Sequence, residues 1–185
     1  LGLECGGSDA FSGITANPAV GLLSDYVVEN GGTVILTEST EMIGTAHILG
    51  RRVCDPGVEQ RVKEVIRKAE RRTRELLGPL AHAVIAPGNM DGGMSSIVEK
   101  SLGCIRKGGS SPVVEVVEYG QVPTRRGLVI MDGPGYDVES MAGLAASGCQ
   151  AIVFTTGRGN PIGFPIVPVI KVASNPRLFQ QMRDD

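Results

Sequence analysis

A chain of 185 residues with a formal net charge of −2 is long enough to enclose one sizeable core, and its cations are interleaved with acids, which excludes the basic footprint of a nucleic-acid binder. Its longest apolar runs fall well short of the roughly 20 residues of a membrane span, and no basic-then-apolar leader is visible, so a soluble protein without membrane partners is expected. The cysteines stand singly at 5, 54, 104 and 149 with no CxxC pair, which suits a reducing cytoplasm and argues against a disulfide scaffold or a structural zinc.

The first predicted element is an apolar strand, Leu1 to Cys5, which runs into a loop bared by Gly6, Gly7 and Gly13 and carrying Ser8, Asp9 and Thr15. Asn17-Pro18 then offers an N-cap and a proline for the first helical turn, with Gly31-Gly32 closing that helix. A second strand is expected over Thr33 to Thr37, and "STEMIGTAHILGRR" reads as a short helix capped by Ser39 or Thr40. Asp55-Pro56 repeats the start signal, and Val58, Val62, Val65, Ile66, Ala69 and Leu76 recur at helical spacing as far as Leu77, with the charges of "EVIRKAERRTRE" read as a solvated face. "APGNMDGGMSS" is too rich in glycine for regular structure, and a helix follows from Ser95 to Lys107. Strands over Val113 to Glu118 and Leu128 to Met131, a helix from Val138 to Ser147, and strands over Ala151 to Thr155 and Val167 to Ala173 complete the pattern, with "TGRGNPIGFPIVP" irregular between the last two.

Strands alternating with helices predict an α/β fold, Rossmann-like, with a mostly parallel open sheet and helices on both faces. One domain over 1–185 is expected, as a fragment of a longer catalytic region. In such sheets ligands gather at the carboxyl ends of the strands, and those ends here are Cys5-Gly6-Gly7-Ser8-Asp9, Thr37-Glu38-Ser39-Thr40-Glu41, Asp132-Gly133 and Thr155-Thr156-Gly157-Arg158-Gly159. The bare backbone and guanidinium of "TTGRG" suit a carboxylate or another oxyanion. Nucleotide binding is disfavoured, because Gly157, Gly159 and Gly163 miss the GxGxxG spacing and no GxxxxGK[ST] occurs. Cys5 at the head of the glycine loop is expected to be a lowered-pKa thiolate, with an inert buried thiol as the alternative. A capping or packing role for His47 stands beside a catalytic one, since Glu41 is not at a helical ligand spacing from it. His82, Cys54, Cys104 and Cys149 read as packing or surface residues.

Taken together, "LGLECGGSDAFSGITANPAVG", "GGTVILTESTE", "PGNMDGG", "EKSLG", "MDGPGYD" and "FTTGRG" resemble the altronate and galactarate dehydratase family of sugar-acid dehydratases, with sulfolactate sulfo-lyase large subunits as relatives. The resemblance runs over nearly the whole chain in unbroken order. It implies a lyase dependent on a divalent metal, iron(II) first and manganese(II) second, that removes water from a 2,3-dihydroxy acid to give a 2-keto-3-deoxy acid. It implies proton transfer by Glu38, Glu41, His47 and Asp9, metal ligation by Cys5 and His47, and substrate contacts from Ser8, Asn17, Asn89, Thr156, Gly157 and Arg158. A small-molecule hydroxy acid as partner, a homo-oligomer, and a small N-terminal domain or separate subunit are implied in the same way. The pattern departs at Met90, where altronate-type members carry Lys, and at Phe164-Pro165, where they carry Cys-Lys, which leaves other hydroxy acids, sulfolactate included, as substrates. The rival readings are a non-catalytic small-molecule or nucleotide-binding domain and a structural assembly module.

Overall fold

Short apolar runs rich in Val, Ile and Leu are what a parallel sheet covered on both faces requires, and the chain builds one from them. In the computed structural model, which describes residues 1–78 and 87–183, β1 (Gly2–Cys5), β2 (Thr33–Leu36), β3 (Val113–Val117), β4 (Gly127–Met131), β5 (Ile152–Thr156) and β6 (Val169–Ala173) pair in the order β3-β4-β2-β1-β5-β6. Every pairing is parallel. The strands β1, β4 and β5 are buried throughout, whereas the edge strands β3 and β6 are partly open. Side chains alternate between two cores: Leu3, Leu36 and Ile130 pack on one face with Val20, Val62 and Ile66, and Ile35, Val129 and Phe154 pack on the other with Met141 and Leu144. Each such fully buried side chain contributes roughly 1.5–3 kcal/mol.

The helices are α1 (Ala16–Glu29), α2 (Ala46–Leu49), α3 (Pro56–Leu77), α4 (Pro87–Asp91), α5 (Ile97–Cys104), α6 (Asp137–Ala146) and α7 (Pro176–Gln181). Helix α3 starts as its sequence predicts, with the Asp55 carboxylate accepting from the Val58 N–H at 3.0 Å and Pro56 in the first turn. Helix α1 does not: its N-cap is Thr15, and Asn17 lies inside the helix. The Asn17 carboxamide is engaged elsewhere, donating to Gly103 O at 3.0 Å and accepting from the Thr155 hydroxyl at 2.7 Å.

Two further expectations are corrected. The single helix over Ser95 to Lys107 ends at Cys104 and tightens into a 3-10 turn over Ile105–Gly108, which buries Lys107 completely. The short helix of "STEMIGTAHILGRR" is three separate turns, 39–42, 46–49 and 50–52, with neither Ser39 nor Thr40 as cap. Part of the glycine-rich "APGNMDGG" forms α4. His82 lies outside the described residues.

Candidate active site

The central strand β1 carries a carboxylate in its otherwise apolar run, Glu4, followed by Cys5. Beside it β2 ends at Leu36, Thr37 follows, and Glu38 then takes φ 67° and ψ 57°, the one left-handed non-glycine among the described residues. A conformation that costs roughly 1–3 kcal/mol persists only where surrounding contacts enforce it. Those contacts are on hand: the Cys5 N–H donates to Glu38 Oε2 at 3.1 Å, and the Lys107 ammonium donates to the same oxygen at 2.7 Å, with both side chains of the ion pair wholly buried. The turn that follows brings in Glu41, which accepts from the Cys5 thiol at 3.1 Å and from Lys100 of α5. Cys104, from the end of α5, completes the group: ligand atoms of Cys5, Glu38, Glu41 and Cys104 all lie within 4.8 Å of one another, and all four residues are buried.

Burial sets the electrostatics. Desolvation, with the Glu41 charge, pushes Glu38 up to about 7 against the pull of Lys107. Desolvation and then the Glu38 charge raise Glu4 well above the usual carboxylate range; Ser140 of α6 donates to one of its oxygens, and the other has no hydrogen-bond partner among the described residues. The Cys5 thiol is raised, not lowered: a hydrogen bond with Cys104 comes first, then burial and the flanking carboxylates. The expected lowering is therefore corrected, because Cys5 is buried against a second thiol and a pair of acids. Burial works against the charges of Lys100 and Lys107, yet the anionic groups around them hold both above the ordinary lysine value.

These residues fit a divalent cation. Two thiols and two carboxylates form a mixed soft and hard donor set suited to a borderline first-row metal, and a cation would offset the crowding of acids that helps to raise Glu4 and Cys5.

The rim beside β5 and β6 is built differently. Asp9 Oδ1 accepts from the Phe11 and Ser12 N–H groups and from the Ser12 and Ser174 hydroxyls, and Oδ2 accepts from Asn175, all between 2.7 and 3.1 Å. Gly157 packs so closely on Asp9 that a side chain there would run into its carboxylate. The Thr156 hydroxyl accepts from the Gly159 N–H at 3.0 Å, and Arg158 reaches Gly88 O and, at 3.3 Å, Asp91 of α4. Ser8 and Asn89 are buried. His47 is exposed on α2, whose buried residue is Leu49, and is not among the converging ligand atoms. Met90 is exposed, and Phe164 packs against the core.

Of the expected site residues the structure thus brings Cys5, Glu38 and Glu41 together. It adds Glu4, Lys100, Cys104 and Lys107, of which only Glu4, a charge inside an apolar run, left a signal in the sequence.

Two clefts flank this cluster. One of about 480 Å³ is lined by Cys5, Ser8, Asn17, Lys100 and Arg106. The other, about 1180 Å³, is lined by Thr40, Glu41, Lys68, Arg72, Lys100 and Tyr136 and lies over the carboxyl ends of β2, β3 and β4. Lys100 borders both.

The family model described as "D-galactarate/Altronate dehydratase, C-terminal" matches residues 1–185. The chain is 44% identical over 180 residues to altronate dehydratase of Bacillus subtilis, which covers 97% of this chain and 36% of that protein. It is 42% identical over 189 residues to galactarate dehydratase (L-threo-forming) of Escherichia coli, covering all of this chain and 35% of that protein. It is 37% identical over 183 residues to (2R)-sulfolactate sulfo-lyase subunit beta of Chromohalobacter salexigens, covering 98% of this chain and 47% of that one. The chain thus spans about a third of the length of the dehydratases it matches.

Proposed function

The chain belongs to the D-galactarate/altronate dehydratase family, and from that premise we propose that it forms the catalytic centre of a hydro-lyase acting on a sugar acid. The observation that carries the reading is the convergence of Cys5, Glu38, Glu41 and Cys104 beside the strained Glu38 backbone. In the proposed reaction the C2 proton of a 2,3-dihydroxy acid is removed and the C3–O bond breaks with a proton delivered to the departing oxygen. Water leaves, and the enol rearranges to the 2-keto-3-deoxy acid.

A proton next to a carboxylate is weakly acidic, so the base needs nearby positive charge to hold the developing ene-diolate. Glu41 is the cluster carboxylate that borders the larger cleft, with Lys100 bonded to it; Glu41 takes the C2 proton, and Lys100 stabilises the charge that forms. Glu38, closed off from solvent and tied to Lys107, together with Cys5 and Cys104, would hold the metal, iron(II) by the family's resemblance. A divalent ion there supplies Lewis-acid stabilisation of negative charge on oxygen. The arrangement assigns His47 no proton-transfer step, and Asp9, Asn17, Thr156, Gly157 and Arg158 are proposed to shape the neighbouring loops.

A second reading, elimination of bisulfite from a sulfolactate, is favoured by the match to the sulfo-lyase subunit. One assay tests both: the intact gene product, loaded anaerobically with iron(II), is incubated with altronate, galactarate, other aldonates and sulfolactate, with and without chelator. Chelator-sensitive 2-oxo acid from one sugar acid establishes the first reading, and sulfite release establishes the second. Absence of both products, with iron bound, overturns the lyase assignment.

A further inference from the structure

Helix α3 buries Val62, Val65, Ile66, Ala69 and Thr73. Lys68, Arg72 and Leu76, one helical turn apart in succession, flank that stripe and form one wall of the larger cleft. The charge run of α3 is a solvated face, as its sequence predicts, and part of that face borders the cleft.

The cations lining this cleft differ in how they are balanced. Lys68 is paired with Asp132 at 2.5 Å and approaches Glu118 at 3.8 Å, and Lys100 is paired with Glu41. Arg72 has no carboxylate partner among the described residues. Elsewhere on α3, Arg61, Lys63 and Arg74 face a glutamate; Arg67 and Arg71 also have no carboxylate partner among the described residues, but neither lines the cleft. A guanidinium without a counter-ion, on the wall of a cleft that ends at a proton-transfer pair, matches a planar carboxylate in shape and charge. The hydroxyls of Thr40 and Tyr136, which line the same cleft and make no hydrogen bond among the described residues, offer the donors and acceptors that a polyhydroxy chain requires.

Resting on the dehydratase reading above, we propose that Arg72 anchors the carboxylate of the sugar acid in the larger cleft, so that C2 and C3 face Glu41 and Lys100. The smaller cleft, with its own Arg106, is then not where the acid binds.

The test uses the intact gene product and two readouts. In steady-state assays Arg72→Met raises KM for the sugar acid roughly 10- to 100-fold with kcat within about threefold of wild type, the pattern of a lost binding contact. Arg72→Lys recovers part of the loss, and Arg106→Met leaves KM unchanged. In calorimetric titrations wild type binds D-gluconate more tightly than Arg72→Met does by the same factor, while the uncharged polyol D-glucitol shows no difference between them. Gluconate bound through Arg72 with no 2-oxo acid formed from any sugar acid would sink the dehydratase reading and keep this one. Equal KM or equal gluconate affinity in wild type and Arg72→Met, or no gluconate binding by wild type, overturns the role given to Arg72.

Discussion

Asp9 and Glu38 are both buried carboxylates in loops that follow central strands, yet the protein holds them in opposite ways. Asp9 receives five hydrogen bonds, every one from a neutral donor, and the loops after β1 and β6 close around it. Glu38 faces another carboxylate, a thiol and a buried ammonium, on a left-handed backbone. A carboxylate saturated by neutral donors suits a structural role, because little is gained by moving a proton on it or admitting a ligand. Crowded acids held together by lysines store a charge imbalance that a cation or a reacting group can relieve. Both rims are glycine-rich and acidic, so composition does not separate them; the donors do.

The contrast is sharpened first at Glu41. Glu41→Gln keeps the shape of the side chain and removes the proposed base, so kcat should fall by about 10²- to 10⁴-fold with an unchanged far-ultraviolet circular dichroism spectrum. A variant retaining more than a tenth of wild-type turnover would move the base elsewhere. Next is Lys107→Met, which leaves Glu38 buried without its counter-charge and should cost about 3–5 kcal/mol in denaturant unfolding. Adding Glu38→Leu should recover most of that loss; if it does not, the pair is not what Lys107 is there for. Asp9→Asn keeps part of the donor network and should cost about 1–3 kcal/mol while turnover per folded molecule stays near wild type. A loss of kcat without a loss of stability would return Asp9 to the chemistry.

How much of this could be read in the sequence follows from which forces are local. All six strands and the starts of α3 and α6 were legible, because buried parallel strands read as continuous apolar runs and Asp55-Pro56 is a local signal. The strand-end rule found Cys5, Glu38 and Glu41. It missed Lys100, Cys104 and Lys107, since the 3-10 turn that swings Lys107 inward depends on packing of 105–108 against α1, where the Ser24 hydroxyl donates to Lys107 O at 2.6 Å. Asn17 misled for the same reason: its side chain answers to Gly103 and Thr155, distant in sequence. The charge run of α3 concealed Arg72, because only the tertiary structure shows which charges are paired.

The smallest expected effect comes from a third carboxylate, Asp25, which repeats the Asp9 arrangement with much less burial. Its oxygens accept from the N–H groups and hydroxyls of Ser110 and Ser111 at 2.6–2.9 Å, tying α1 to the loop before β3. What burial there is raises its pKa, but the four serine donors outweigh it and hold Asp25 below the ordinary carboxylate value. A depressed folded-state pKa means stability that is fully present above the unfolded pKa and is lost as pH falls through the folded one. Asp25→Asn should therefore lower stability by about 1 kcal/mol or less near neutral pH. The gap between variant and wild type should close only below the ordinary range of aspartate, near pH 4. Denaturant unfolding of both proteins from pH 7 down to the acid transition checks this. A gap that stays constant through that range would mean the Asp25 contacts act through shape alone, and that neutral donors do not suffice to hold a carboxylate charged.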